Sequence, residues 1–171
     1  SAVIVNRTQQ ENKLKTPVNI SNDVPEVLND VKFVHLHNHT QFSVLQSTIS
    51  VKKLVAAASD QQMPAVAITD HGNMMGAFHF VKEIGNYNRA IRQKNKDSLG
   101  LDEPQVAHEI KGIIGCEFFV CEDHSNKSQK DNGYQVVFLA KTKRGYHNLV
   151  KMSSKAYTEG FYYLPRIDRS I

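Results

Sequence analysis

A chain of 171 residues with 40% hydrophobic and 22% charged side chains has the size and make-up of one globular domain, which argues against a disordered or collagen-like protein. Its apolar runs stop short of the roughly 18 residues that cross a bilayer, and the polar opening SAVIVNRTQQENKLK lacks a signal-peptide core, so a cytoplasmic location is expected. The net charge of +4 and pI near 9.0 suit a polyanionic partner without demanding one, because the basic residues are spread along the chain.

Residues 1–31 contain Pro17, Pro25 and several asparagines and hold no sustained period, which predicts a linker or N-terminal arm docked locally through Ile20, Val24 or Leu28. The domain proper is expected over 32–171. Its first predicted strand, about 33–37, opens the stretch FVHLHNHTQF, where His35, His37 and His39 fall on alternate positions. In an extended chain the three imidazoles project one way, and Val34, Leu36 and Asn38 the other.

Ser50 is a suitable N-cap for a helix with Val51, Leu54, Val55 and Ala58 on its buried face, ended by the stretch Gln61, Gln62, Met63, Pro64. AVAIT (65–69) reads as a buried strand followed at once by Asp70 and His71. Met74, Phe78, Val81, Ile84 and Ile91 predict a helix over 75–92, and the polar stretch 95–111 a surface insertion.

IIGCEFFV (113–120) reads as a strand in which Glu117 needs a partner. Cys116 and Cys121 are too few for a disulfide framework, and their odd separation puts them on opposite faces as reduced thiols. A polar loop, 122–133, returns to a strand at 134–140. A helix over 143–157 follows, with Tyr146, Leu149, Val150, Ser153 and Tyr157 on one face and Gly160 as its stop. The order of elements predicts an α/β fold with a largely parallel sheet.

Functional groups in such folds gather at the carboxyl ends of strands. His37 and His39, then Asp70 and His71, then Glu117 meet that description on three strands. Imidazole and carboxylate together suit zinc or manganese, and ions so held activate water for attack on phosphorus, which points to phosphoester hydrolysis. Plainer roles stay open: Asp70 as a helix cap, His71 as a turn hydrogen bond, Glu117 paired with Lys111 or Arg166.

The series HLHNHTQFS, MPAVAITDHGNMMGAFHF, IIGCEFF and VVFLAKTKRGYHNLVKMSSKAYTEGFYYLPRID resembles the PHP (polymerase and histidinol phosphatase) domain at the start of bacterial replicative DNA polymerase III alpha subunits, from about residue 33 onward. The resemblance implies the first part of a distorted (β/α)7 PHP-type barrel, incomplete where the chain stops at Ile171. It also implies metal ligands at His37, His39, His71 and Glu117, with Asp70 supporting them and His35 in a second, structural role.

Two positions depart from the family pattern. Gln46 stands where relatives carry an aspartate, and Gln135 where they carry a histidine. A neutral amide replaces neither the charge of a carboxylate nor the basicity of an imidazole. The expectation is therefore a structural PHP region holding zinc or manganese at reduced occupancy, the alternative being an active phosphoesterase or 3′→5′ exonuclease. The parent chain is expected to be a DNA-directed DNA polymerase using magnesium, with DNA and replisome subunits as partners; the fragment itself is expected to self-associate.

Overall fold

The computed structural model describes residues 32–99 and 107–171. The expected arm at 1–31, its docking through Ile20, Val24 or Leu28, and the middle of the expected insertion at 95–111 lie outside the described residues.

Helix α1, Val51–Asp60, starts where Ser50 accepts a hydrogen bond from the Lys53 N–H and buries Val51, Leu54, Val55 and Ala58, the face expected of it. Strand β1, Ala65–Ile68, is buried along its whole length. Helix α2 runs Ala77–Ser98, longer than its apolar marks suggested. Its last turns are held from outside: the side-chain amides of Asn88 and Asn95 exchange paired hydrogen bonds with the backbones of Ile110 and Ala107.

The buried face of α2 is Ala77, Phe80 and Ile84. Phe78 and Val81, two of the apolar residues that marked the helix in the sequence, are 73% and 55% exposed. Ala77 and Phe80 keep a three-four spacing with Ile84, and alanine carries too little apolar weight to announce that face. Phe80, fully buried, contributes about 1.5–3 kcal/mol by leaving water.

Strand β2, Lys111–Val120, is the central strand. It pairs in parallel with β1 and with the short β4, Arg166–Ile167, and antiparallel with β3, Tyr134–Leu139. The sheet is therefore mixed rather than largely parallel. The loop over 122–133 carries no crossover helix, so the chain returns beside β2 in the opposite sense. Gly133 makes the return with φ +65°, where an added Cβ would fall 2.3 Å from the Val120 carbonyl oxygen.

No regular strand forms over 33–37. The segment lies along β1 through backbone bonds from Ala67 N–H to His35 O and from Thr69 N–H to Asn38 O. The Asn38 side chain donates to both Ala67 O and His35 O, so the side-chain amide fills the Ala67 carbonyl where a regular ladder would place a backbone N–H.

Helix α3, Lys143–Thr158, is capped by Thr142 and buries Leu149, Ser153 and Ala156, while Tyr157 is 45% exposed. A Cβ at Gly160 would lie 2.0 Å from the Arg166 carbonyl oxygen, a close approach that leaves no side-chain room where the helix ends. One core lies between α1, β1 and α2, and a second between β2, α3 and β4. Arg166 is fully buried and donates to the carbonyls of Gly160, Asp131, His124 and Asn126, so it ties the 122–133 loop to β4.

Candidate metal centre

Glu117 sits mid-strand on β2, 4% exposed, while its neighbours Cys116 and Phe118 turn into the core on the other face. The chain beyond β1 continues beside it: Gly72 N–H donates to Glu117 O, Glu117 N–H donates to Asp70 O, and His71 forms a parallel bridge with Glu117. That register brings His71 and Glu117 to one face, and the segment before β1 delivers two more imidazoles to the same carboxylate.

The Nε2 atoms of His37, His39 and His71 lie 3.2, 2.6 and 3.6 Å from one oxygen of Glu117. Neither Lys111 nor Arg166 partners this carboxylate: Lys111 is exposed and Arg166 serves carbonyls. Burial works against ionisation of Glu117, but hydrogen bonds from His37 and His39 outweigh it and hold the carboxyl below its ordinary range. Burial lowers the pKa of His71, partly opposed by the Glu117 charge, which favours the neutral imidazole that metal ligation needs.

His35 stands apart. Its ring meets Phe33 edge-on at 4.7 Å and lines a small cavity of about 170 Å³ with Asn38, Leu54 and Ala58. The three-imidazole face expected from alternation reduces to His37 and His39, because the segment is not a regular strand.

Asp70 does not cap α2, whose N-cap is Gly76. It is 2% exposed and accepts from the Thr40 N–H, the Thr40 hydroxyl and the Ser43 hydroxyl. Ser43 in turn accepts from the His71 N–H. Asp70 thus holds the turn after His39 against the segment bearing His71.

The donor set fits a divalent cation. A four-coordinate zinc ion with bonds near 2.0–2.1 Å places its donor atoms roughly 3.3 Å apart; His37 and His71 stand 3.2 and 3.6 Å from Glu117, and His39, at 2.6 Å, would draw back by a few tenths of an ångström to share an ion. One ligand atom each from His37, His39 and Glu117 lie within 4.8 Å of one another.

The profile of the PHP domain matches residues 35–171. The chain belongs to the PHP domain family. The DNA polymerase III subunit alpha of Chlamydia trachomatis serovar D is 40% identical over 143 residues, covering 81% of this chain and 10% of that protein. The subunit of the same name from Treponema pallidum is 40% identical over 142 residues (81% and 10%), and that of Deinococcus radiodurans 39% over 151 residues (82% and 10%). The chain thus spans about a tenth of the length of these relatives.

The two glutamines singled out in the sequence, Gln46 and Gln135, lie differently in this PHP domain. Gln135, on β3, donates its side-chain amide to His71 Nε2 at 2.8 Å. Gln46 is exposed on the turn after Leu45 (φ 66°), and among the described residues its side chain reaches none of the clustered imidazoles by a hydrogen bond.

Thr40, Ser43 and Asn38 escaped the sequence reading. Small polar residues beside histidines carry no periodic signal, and only their hydrogen bonds to Asp70 and to the backbone of β1 show them holding the site. In a second group, Asp123, His124 and Asp168, the His124 ring and backbone N–H both meet Asp168 Oδ2, at 2.7 and 3.0 Å, while Asp123 accepts from Ser125.

Proposed function

We propose that this chain is the PHP region of a bacterial replicative DNA polymerase III alpha subunit. In this reading its residues form the first part of a distorted (β/α)7 barrel, and its metal site stabilises structure rather than driving hydrolysis. The observation that carries it is the pair of glutamines: Gln46 is exposed on its turn, and Gln135 meets the cluster with an amide. A cation held within the cluster of His37, His39, His71 and Glu117 would supply Lewis acidity there, and zinc or manganese suits those donors. Fewer charged donors than the family pattern carries mean weaker holding, hence partial occupancy.

The parent chain would carry out DNA-directed DNA synthesis with magnesium in a separate polymerase domain, in the cytoplasm, with DNA and other replisome subunits as partners. Among the described residues no helix is long and apolar enough to cross a membrane. Residues 1–31 would serve as an arm leading to the domain at 32–171. Among the described strands β3 pairs only with β2, and Tyr134, Val136 and Leu139 on it are exposed, which supports self-association of the isolated chain.

The test combines metal analysis with hydrolysis of single-stranded DNA. Substoichiometric zinc or manganese, and no hydrolysis that His37→Ala removes, is expected. Full occupancy by two or three ions with turnover lost in His37→Ala would establish the second reading, an active phosphoesterase or 3′→5′ exonuclease. That reading draws on the 54% exposure of the His37 side chain, which leaves the cluster reachable by a substrate.

A further inference from the structure

The metal reading above leaves open which donors the cation takes. Resting on that reading, we infer that Gln135 holds His71 outside the ligand set, so that this PHP domain binds a single divalent cation on His37, His39 and Glu117.

An imidazole nitrogen has one in-plane position, filled by a proton or by a lone pair. At His71 Nε2 the Gln135 amide occupies it at 2.8 Å. Either way the Nε2 position is taken: if the amide nitrogen donates, it occupies the lone pair, and if the amide oxygen accepts, Nε2 carries the proton and the lone pair lies on Nδ1 instead. The alternative partner, Glu117 Oε2, stands at 3.6 Å, beyond hydrogen-bond reach.

The His71 ring has little freedom to turn away from that bond. It stacks on His39 at 5.2 Å with 22° between planes, and Phe119 packs against it at 4.5 Å. Its side chain is 9% exposed and its backbone is bridged to Glu117. Gln135 is placed by the β2–β3 register, directly across from Phe119, so the same ladder sets the amide beside the ring. The group of ligand atoms lying within 4.8 Å of one another contains His37, His39 and Glu117 without His71. The His37 side chain is 54% exposed, so the site would be reachable from solvent on that side.

Zinc stoichiometry on the whole chain, by native mass spectrometry with competition titration, tests this. Wild type is expected to bind one ion, His39→Ala none, and His71→Ala one ion with Kd within about threefold of wild type. Gln135→His, which supplies an imidazole and frees His71, is expected to bind a second ion. Long-range proton–nitrogen NMR of wild type gives a readout that needs no variant to fold: the His71 ring signals should stay in place as zinc is added while those of His37 and His39 move. Loss of zinc in His71→Ala equal to that in His39→Ala, two ions in wild type, or movement of the His71 nitrogens with zinc overturns the inference and leaves the metal reading standing. No zinc on wild type overturns the metal reading as well.

Discussion

Replacing Asp70 separates a structural carboxylate from a ligand. It receives three donors, the Thr40 N–H at 2.6 Å, the Thr40 hydroxyl at 2.8 Å and the Ser43 hydroxyl at 2.8 Å, in a pocket where Thr40 is fully buried. In Asp70→Ala the hydroxyls can rotate towards other acceptors, but the Thr40 N–H cannot, and an orphaned buried donor costs about 1–3 kcal/mol. Losing the charge-assisted bonds raises the total to roughly 3–5 kcal/mol.

Asp70→Asn keeps one oxygen for Thr40 N–H and Ser43, and its amide can donate to a reoriented Thr40 hydroxyl, so about 1 kcal/mol is expected. Urea melts of both variants check this, with a midpoint fall of roughly 1–2 M expected for alanine and well under 1 M for asparagine. Alanine within about 1 kcal/mol of wild type, or asparagine as damaging as alanine, would refute the hydrogen-bond account.

Arg166→Met removes the buried donor of four carbonyls and is expected to destabilise by about 3–5 kcal/mol in the same melts, with faster proteolysis in the 122–133 loop. Asp168 is resisted by burial but held well below its ordinary value of 3.8 by hydrogen bonds from Ser170 and His124. A folded-state pKa below the unfolded one gives stability that is present above the ordinary carboxylate range and lost as pH falls below it, so Asp168→Asn should flatten the acid limb of a stability profile. His35→Ala is expected to leave zinc affinity within about threefold of wild type in a competition titration, because its ring lines a separate cavity.

The local rules were readable where neighbours in sequence decide the outcome. Ser50 and the Val51, Leu54, Val55, Ala58 stripe place α1, because a cap and a face need only residues within a few turns. The apolar run 65–68 likewise yields β1, and Glu117 inside an apolar strand demands a partner wherever the strand lies. The convergence of His37, His39 and His71 on Glu117 could be anticipated from residue chemistry and family likeness.

Choices between competing long-range partners could not be read that way. In the sequence Asn38 reads equally as a strand residue or a solvent-facing one; only the proximity of the Ala67 and His35 carbonyls shows that its amide ties the segment before β1 to that strand. Phe78 and Phe80 are equally apolar in a list, and the position of β2 and α1 around α2 decides which is buried. Gln135 reads as a missing histidine until the antiparallel register of β3 sets it on His71. Chain-local patterns specify which groups are present and which segments coil or extend; the pairing of strands distant in sequence specifies which groups meet, because a hydrogen bond or a ligand set depends on distances of a few ångströms that no local pattern encodes.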